Sequence, residues 1–277
     1  MDLGMRRLLE GPLGIFRSKA SKAADRFSPN AQRDIFLVTY PRSGTTWLSC
    51  IAGELMFNIS PKSLTEIDSL VPDIHAMPKR STVPSSRQYL VKSHLPLSGQ
   101  PPYGSYRRVI YLIRDPRDVM LSYYRFEVAQ SGRKGDIRAF AKDWASGRIW
   151  PGSWQEHVNT WIGPYPEPRS FELTMLRYED FISHPVEQTT RLAEVIGVQA
   201  SRDRIEEVVA DTNPDIMRSR ERQGNAGAKP SLQFIGPATS GGWKDKLIGK
   251  DLEALQIVEE YAGPVMRRHG YKLSSTS

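Results

Sequence analysis

The stretch D-I-F-L-V-T-Y-P-R-S-G-T-T-W-L-S-C-I-A-G-E-L-M-F-N, residues 34–58, has three parts. Asp34 to Thr39 is an apolar, β-branched run and reads as a buried strand. Tyr40 to Gly44 holds Pro, Ser and Gly and reads as a tight turn. From Thr45 onward, Trp47, Leu48, Ile51, Leu55 and Met56 recur at helical spacing. A strand, a short glycine-containing turn and a helix N-terminus make an anion site. The first N–H groups of the helix lack intrahelical partners, and the macrodipole places partial positive charge there. Arg42 adds a full charge; Ser43, Thr45 and Thr46 add hydroxyl donors.

The stretch does not fit the nucleotide-binding pattern G-x-x-x-x-G-K-[ST]. Gly44 is its only turn glycine, Thr45 stands where the lysine belongs, and the charge sits inside the turn at Arg42. Taken by itself, the turn also reads as an ordinary α/β junction with Ser43 as an N-cap.

Outward from this stretch, 277 residues read as one large domain rather than two small ones, and 39% apolar content is enough for a sizeable core. A formal net charge of +7 favours anionic partners: nucleotides, nucleic acid, anionic lipid, or sulfated and phosphorylated small molecules. Cys50 is the only cysteine, so no intramolecular disulfide forms, which fits a reducing, cytoplasmic compartment. No run of about 18 apolar residues marks a membrane span. Residues 1–30 are basic and broken by Gly11-Pro12 and Gly14. They read as a loosely packed N-terminal arm, with weak peripheral membrane contact as the alternative, ahead of a single domain over 31–277.

Further strands are expected at Gln88–Ser93, Arg107–Ile113 and Ser170–Leu176. Helices are expected at Arg117–Gln130 (after Asp115-Pro116), Ile137–Ser146, from Trp154, Val186–Ile196, Arg202–Ala210 and Leu252–His269. Residues 61–74 read as a short helix plus loop, 76–86 and 99–104 as loops, and Ser219–Gly242 as a long functional loop. Strands alternating with helices predict an α/β, three-layer, P-loop-like fold with a mainly parallel central sheet. Ligands then bind beyond the carboxyl ends of the strands, where Arg42, Lys92, His94, Arg114 and Tyr178 fall.

Lys92 and His94 stand two residues apart at a strand end, so alternation puts both on one face. A cation and a titratable imidazole together suit removal of a proton and stabilisation of negative charge; an isolated K-x-H is otherwise a surface lysine beside a hydrogen-bonded histidine.

T-Y-P-R-S-G-T-T-W at 39–47, K-S-H-L-P at 92–96 and R-D-P-R-D-V-M-L-S-Y-Y at 114–124 together resemble the cytosolic sulfotransferases. G-S-W…H…W at 152–161, Y-E-D at 178–180 and G-G-W-K at 241–244 add to the resemblance, which covers about residues 34–268. It implies the co-substrate 3′-phosphoadenosine 5′-phosphosulfate (PAPS) and sulfuryl transfer to an acceptor hydroxyl or amine. Carried over, Arg42, Ser43, Gly44, Thr45 and Thr46 hold the 5′-phosphosulfate, and Trp47 stacks on adenine. Arg114 and Ser122 bind the 3′-phosphate; Tyr178 and Thr212 make adenine-side contacts. Lys92 and His94 match the catalytic lysine and histidine, with Arg42 at the leaving oxygen.

The chemistry of these roles is consistent. Transfer in line at sulfur builds charge on the bridging oxygen, where Arg42 and helix N–H groups stabilise it. Neutral His94 accepts the acceptor's proton. Arg114 offers a planar fork to a phosphate. Glu179-Asp180 reads as a helix cap rather than a ligand pair, so no metal is expected.

The sequence also departs from the family pattern. Arg42 stands where lysine is usual, and Gly236-Pro237-Ala238 replaces R-K-G, so the usual 3′-phosphate arginine is missing. Gly236 and Ala238 N–H groups, or Arg220, Arg222 or Lys229, are the candidates to replace it. Asn213-Pro214 replaces an aromatic residue after Thr212. Of the dimerisation stretch, Lys244 and Glu253 remain but Ile248-Gly249 replaces T-V, which leaves the oligomeric state open. The expected acceptor is a small molecule or lipid. A non-catalytic nucleotide-binding or interaction protein on the same fold is the alternative. A P-loop kinase is opposed by the missing G-K-[ST], and nucleic-acid binding by the lack of interleaved aromatics or a recognised module.

Overall fold

The computed structural model describes residues 32–59, 64–74, 88–97, 106–132, 135–164, 169–224, 235–236 and 238–274. The N-terminal arm, the loops at 76–86 and 99–104, and residues 225–234 of the late loop lie outside the described residues.

Four strands, β1 (Ile35–Thr39), β2 (Leu90–Ser93), β3 (Arg108–Ile113) and β4 (Glu172–Arg177), form a parallel sheet in the order β2-β1-β3-β4. Leu37 is level with Lys92 on one side and Ile110 on the other. Strands buried on both faces read as continuous apolar runs. Here Phe36, Val38, Val109, Tyr111 and Ile113 enter one core, while Ile35, Leu37, Ile110 and Leu112 enter the other.

Beneath the second core lie α1 (Thr45–Phe57), α6 (Tyr178–Ser183), α7 (Pro185–Ile196) and α8 (Arg202–Asp211). The first core is covered by α3 (Pro116–Ser131), α4 (Ile137–Ala145), α5 (Trp154–Ile162) and α10 (Leu252–Arg268). The architecture is the expected three-layer α/β fold. Because β2 and β3 flank β1, the strand order reverses at the end of β1, which opens a crevice there.

Local chemistry sets the helix boundaries. Asp115 caps α3 by accepting from the Arg117 N–H at 2.9 Å, with Pro116 at the first helical position. Gly132 closes α3 and Gly197 closes α7 in the left-handed conformation. Ser153 caps α5.

Two elements differ from expectation. Tyr178–Ser183 is a short helix, α6, that follows β4 directly. Residues from Ser219 do not begin a loop: α9 runs Pro214–Gly224, opened by Pro214 and by the Asn213 side chain accepting from the Asp215 N–H at 2.9 Å. A further short helix, α2 (Leu64–Leu70), precedes a segment whose Asp73 pairs with Lys92 at the edge of β2.

Candidate active site

At the reversal of strand order lies a cavity of about 420 Å3. One end is walled by the β1–α1 turn, Arg114, Tyr178 and Thr239; His94, Lys92, Trp150 and Phe126 line it as well.

The turn is shaped by two left-handed residues, Arg42 (φ 69°) and Gly44 (φ 104°). At Gly44 no other residue fits. A Cβ there would meet two ring carbons of Tyr178 at 2.5 and 2.7 Å. Gly44 occupies the N-cap of α1 without a side-chain cap, so the first N–H groups of that helix keep their anion-binding capacity. Ser43 Oγ is buried and, among the described residues, without a hydrogen-bond partner.

Arg42 and Arg114 bring two guanidinium groups to the same wall. Arg42 Nε donates to Ser122 Oγ at 3.3 Å, and its charge sits 4.8 Å from the Phe126 ring centroid. Burial, then the Arg114 charge, lowers the Arg42 pKa to about 10. It remains a cation at neutral pH, and a bound anion would relieve both effects. Arg114 lies over the Tyr178 ring at 4.0 Å and donates to the Arg42 and Thr239 carbonyls, each at 3.2 Å. Among the described residues its buried Nε has no partner.

The R-D-P-R-D string does more than supply Arg114. Arg117 pairs with Asp115 and Glu259 at 2.7 Å each and lies 3.8 Å over Trp243. Asp118 accepts from the Gly241 N–H at 2.8 Å and the Trp243 N–H at 3.0 Å. The string therefore anchors the G-G-W-K segment, which brings Ala238, Thr239 and Gly242 to the cavity. Glu179 acts as a cap for another helix: its carboxylate accepts from the Asp115 N–H at 2.8 Å and from the Tyr271 hydroxyl at 3.1 Å.

His94 follows β2 and is oriented by the end of β1. Its Nδ1 lies 2.9 Å from the Thr39 carbonyl and 3.0 Å from Thr39 Oγ1. A carbonyl only accepts, so Nδ1 carries the proton and Nε2 carries the lone pair. Among the described residues Nε2 has no hydrogen-bond partner. Burial lowers the His94 pKa; Asp73 and the Thr39 bond oppose this, and Lys92 and Arg42 add to it. The imidazole is thus neutral near pH 7. Lys92 Nζ is 2.5 Å from Asp68 Oδ1 on α2.

Of the residues singled out in the sequence, Arg42, Gly44, Thr45, Thr46, Trp47, Lys92, His94, Arg114, Ser122 and Tyr178 all line the cavity. Ser43 and Thr212 do not. The Thr212 hydroxyl donates to the Val208 carbonyl at 2.7 Å, and its own carbonyl accepts from Trp47 Nε1 at 2.8 Å. Its carbonyl thus holds the Trp47 ring. Of the candidates to replace the missing late-loop arginine, Arg220 donates to the Asp211 carbonyl, while Gly236 and Ala238 reach the cavity. Lys229 lies outside the described residues. Sequence reasoning missed Thr39, Asp68 and Asp118; Thr39 and Asp118 stood inside motifs already singled out, and Asp68 did not.

The model of the sulfotransferase domain matches residues 32–268. Human sulfotransferase 2B1 is 25% identical over 258 residues, which cover 88% of this chain and 69% of that protein. Rat sulfotransferase 2A6 is 28% identical over 246 residues, 84% of this chain and 86% of that one. Among solved structures, retinol dehydratase in complex with androsterone and the inactive cofactor PAP superposes with a TM-score of 0.69 at 19% identity, covering 99% and 97% of the two chains. Mouse sulfotransferase SULT7A1 complexed with PAP gives 0.64 at 18% identity, covering 91% and 94%. The match over most of its length places this chain in the sulfotransferase family.

Proposed function

We propose that the protein transfers the sulfuryl group of PAPS to a hydroxyl, or an amine, of a small-molecule or lipid acceptor, with His94 as general base. One observation carries the reading. The uncapped α1 N-terminus, Arg42, Lys92 and the lone pair of His94 Nε2 share a single cavity.

The residues present fit the donor. Among the described residues, buried Ser43 Oγ and Arg114 Nε lack partners, as groups waiting for an anion would. Arg42, the α1 N–H groups and the Thr45 and Thr46 hydroxyls hold the 5′-phosphosulfate. Arg114, Ser122 and the backbone at Gly236 and Ala238 take the 3′-phosphate. The adenine lies against Trp47 and Tyr178. Two structural relatives are complexes with PAP, which supports the choice of donor.

In the reaction, the acceptor oxygen forms a bond to sulfur as the bond from sulfur to the 5′-phosphate oxygen breaks. The acceptor proton passes to His94 Nε2. Arg42 and the helix N–H groups stabilise charge on the departing phosphate, and Lys92 stabilises the sulfuryl oxygens. A Lys92 engaged with Asp68 must exchange that carboxylate for the donor. The scheme routes no step through a metal.

Leu121, Tyr123, Phe126 and Trp150 give the cavity an apolar and aromatic side, which favours an acceptor with an apolar body. Retinol dehydratase is one structural relative, solved in complex with androsterone. Among the described residues no helix is long and apolar enough to cross a membrane. A cytoplasmic location is proposed from the single, buried cysteine.

The test is transfer of labelled sulfate from PAPS to a panel of phenols, alcohols and amines. Product with at least one acceptor is expected. Micromolar binding of adenosine 3′,5′-bisphosphate with no turnover on the panel would instead favour a non-catalytic nucleotide-binding protein, the reading motivated by the lost late-loop arginine.

A further inference from the structure

The G-S-W…H…W string at 152–161 has no part in the scheme above, and its histidine is not on the cavity wall. His157 is 1% exposed and bonded at both ring nitrogens. Nε2 lies 3.1 Å from the His94 carbonyl, and Nδ1 lies 2.8 Å from the Tyr111 hydroxyl. Two residues of the same helix hold the adjoining chain. Trp161 Nε1 donates to the Leu95 carbonyl at 2.9 Å, and Thr160 Oγ1 accepts from the Leu97 N–H at 3.1 Å. Thr160 in turn donates to the His157 carbonyl at 2.9 Å. One face of α5 thus grips three points of the segment 94–97, beginning at the residue that carries the base.

The bonds fix a single tautomer. The His94 carbonyl only accepts, so His157 Nε2 must carry hydrogen, and Nδ1 must then accept from Tyr111. The reverse assignment would set a lone pair against the carbonyl oxygen. Burial, reinforced by the His94 charge, holds the His157 pKa down to about 3, and burial raises that of Tyr111. Neither group changes state near neutral pH. Tyr40 packs edge-on against the ring at 5.5 Å.

We propose that His157 is a positioning residue for sulfuryl transfer: its Nε2–H, set as a donor by Tyr111, holds the His94 backbone so that the His94 ring reaches Thr39 and presents Nε2 to the acceptor. This rests on the reading of His94 as the base. Among the described residues the His94 ring is bonded at one end only, through Nδ1 to Thr39, so its Nε2 can be no better placed than the backbone that carries it. A displacement of about 1 Å in a reacting group can cost on the order of 10²-fold in rate.

The test compares His157→Phe, His157→Gln and Tyr111→Phe with the wild-type chain. Phenylalanine keeps the ring and removes both bonds; glutamine restores an N–H donor toward the carbonyl. For His157→Phe, kcat should fall by about 10- to 100-fold. Its affinity for adenosine 3′,5′-bisphosphate and its donor KM should stay within about twofold. His157→Gln should recover most of the lost kcat. A wild-type kcat in His157→Phe, or equal losses of kcat and bisphosphate affinity, would overturn the proposal. Tyr111→Phe keeps the packing and frees the tautomer; if His157→Phe does not fold, a wild-type kcat in Tyr111→Phe overturns it instead.

A readout independent of turnover separates this proposal from the reading it rests on. The chain has five histidines, so imidazole nitrogen NMR is tractable, with His94→Gln used for assignment. Wild-type His94 should show the Nδ1–H tautomer, and Tyr111→Phe or His157→Phe should mix it with the Nε2–H form. An unchanged His94 signal in both variants contradicts the positioning role whether or not the wild-type protein transfers sulfate.

Discussion

Gly44→Ala should damage the donor site from a position that carries no functional side chain. The added Cβ lies 2.5 and 2.7 Å from two Tyr178 ring carbons, inside any tolerable contact, and 3.7 Å from Leu112. Tyr178 cannot simply retreat, because Arg114 lies 4.0 Å over its ring and Trp47 packs edge-on at 5.6 Å. The backbone adds strain, since φ is +104°. A left-handed conformation costs an L-residue roughly 1–2 kcal/mol. Disturbing the Arg114–Tyr178 contact adds about 0.5–2 kcal/mol. The sum, about 1.5–4 kcal/mol, should lower the midpoint of thermal unfolding by on the order of 5–10 °C. Moving Arg114 and the turn should weaken adenosine 3′,5′-bisphosphate binding by about 10- to 100-fold, at roughly 1.4 kcal/mol per tenfold. Scanning and titration calorimetry read the two effects. Gly132→Ala is the control: φ is +68°, and no atom lies within 4 Å of its added Cβ, so only strain and no loss of affinity is expected. Wild-type midpoint and affinity in Gly44→Ala would refute the account of the turn.

Asp118→Ala removes the acceptor of two N–H groups on the G-G-W-K segment, so bisphosphate affinity should fall and protease cleavage near residues 238–243 should rise; an uncut loop with normal affinity would contradict the anchoring role. Asp68→Asn should move the unfolding midpoint by the equivalent of less than about 1 kcal/mol, because the Asp68 side chain is 60% exposed. Lys92→Met should cut transfer by more than about 10²-fold, as loss of a preorganised donor does, and equal transfer rates in the two variants would remove Lys92 from the chemistry. The pH profile follows from His94, whose pKa lies below the usual 6.5. The base is neutral above that value, so kcat/KM should be flat from pH 7.5 to 6.5 and fall on further acidification. A half-maximal rate above pH 7 would contradict the assignment. Stability should move in the same direction through His157. The unfolded chain takes up a proton below pH 6.5 that the folded chain refuses until about pH 3, so stability is complete above pH 6.5 and is lost as pH falls through that window.

The core of the fold was legible because its chemistry is local. The β1–α1 junction, the capped start of α3 and the glycine stops all follow from neighbouring residues. So does the placing of Arg42, Lys92, His94 and Arg114 at strand ends, since a parallel sheet brings such ends together. Helix α9 was hidden because its burial is not apolar along a stripe. Met217 and Glu221 point inward one turn apart, and Glu221 serves as acceptor for the Ile235 N–H at 3.1 Å. Arg218, Arg220 and Arg222 between and beyond them gave the segment a loop-like composition. The bonding of Thr212 was hidden for a related reason: a threonine near a helix end can turn its hydroxyl to its own helix, and here Val208 takes it. Asp68 had no signal at all, because its role exists only through contact with a strand 24 residues away.

The reading of His94 as general base in PAPS-dependent transfer stands or falls on labelled sulfate transfer and bisphosphate binding measured side by side in the wild-type chain and His94→Ala. The expected result is product from the wild-type chain, a loss of at least about 10²-fold in His94→Ala, and bisphosphate affinities within about twofold of each other. Transfer by His94→Ala at the wild-type rate, or loss of bisphosphate binding together with transfer, would contradict it.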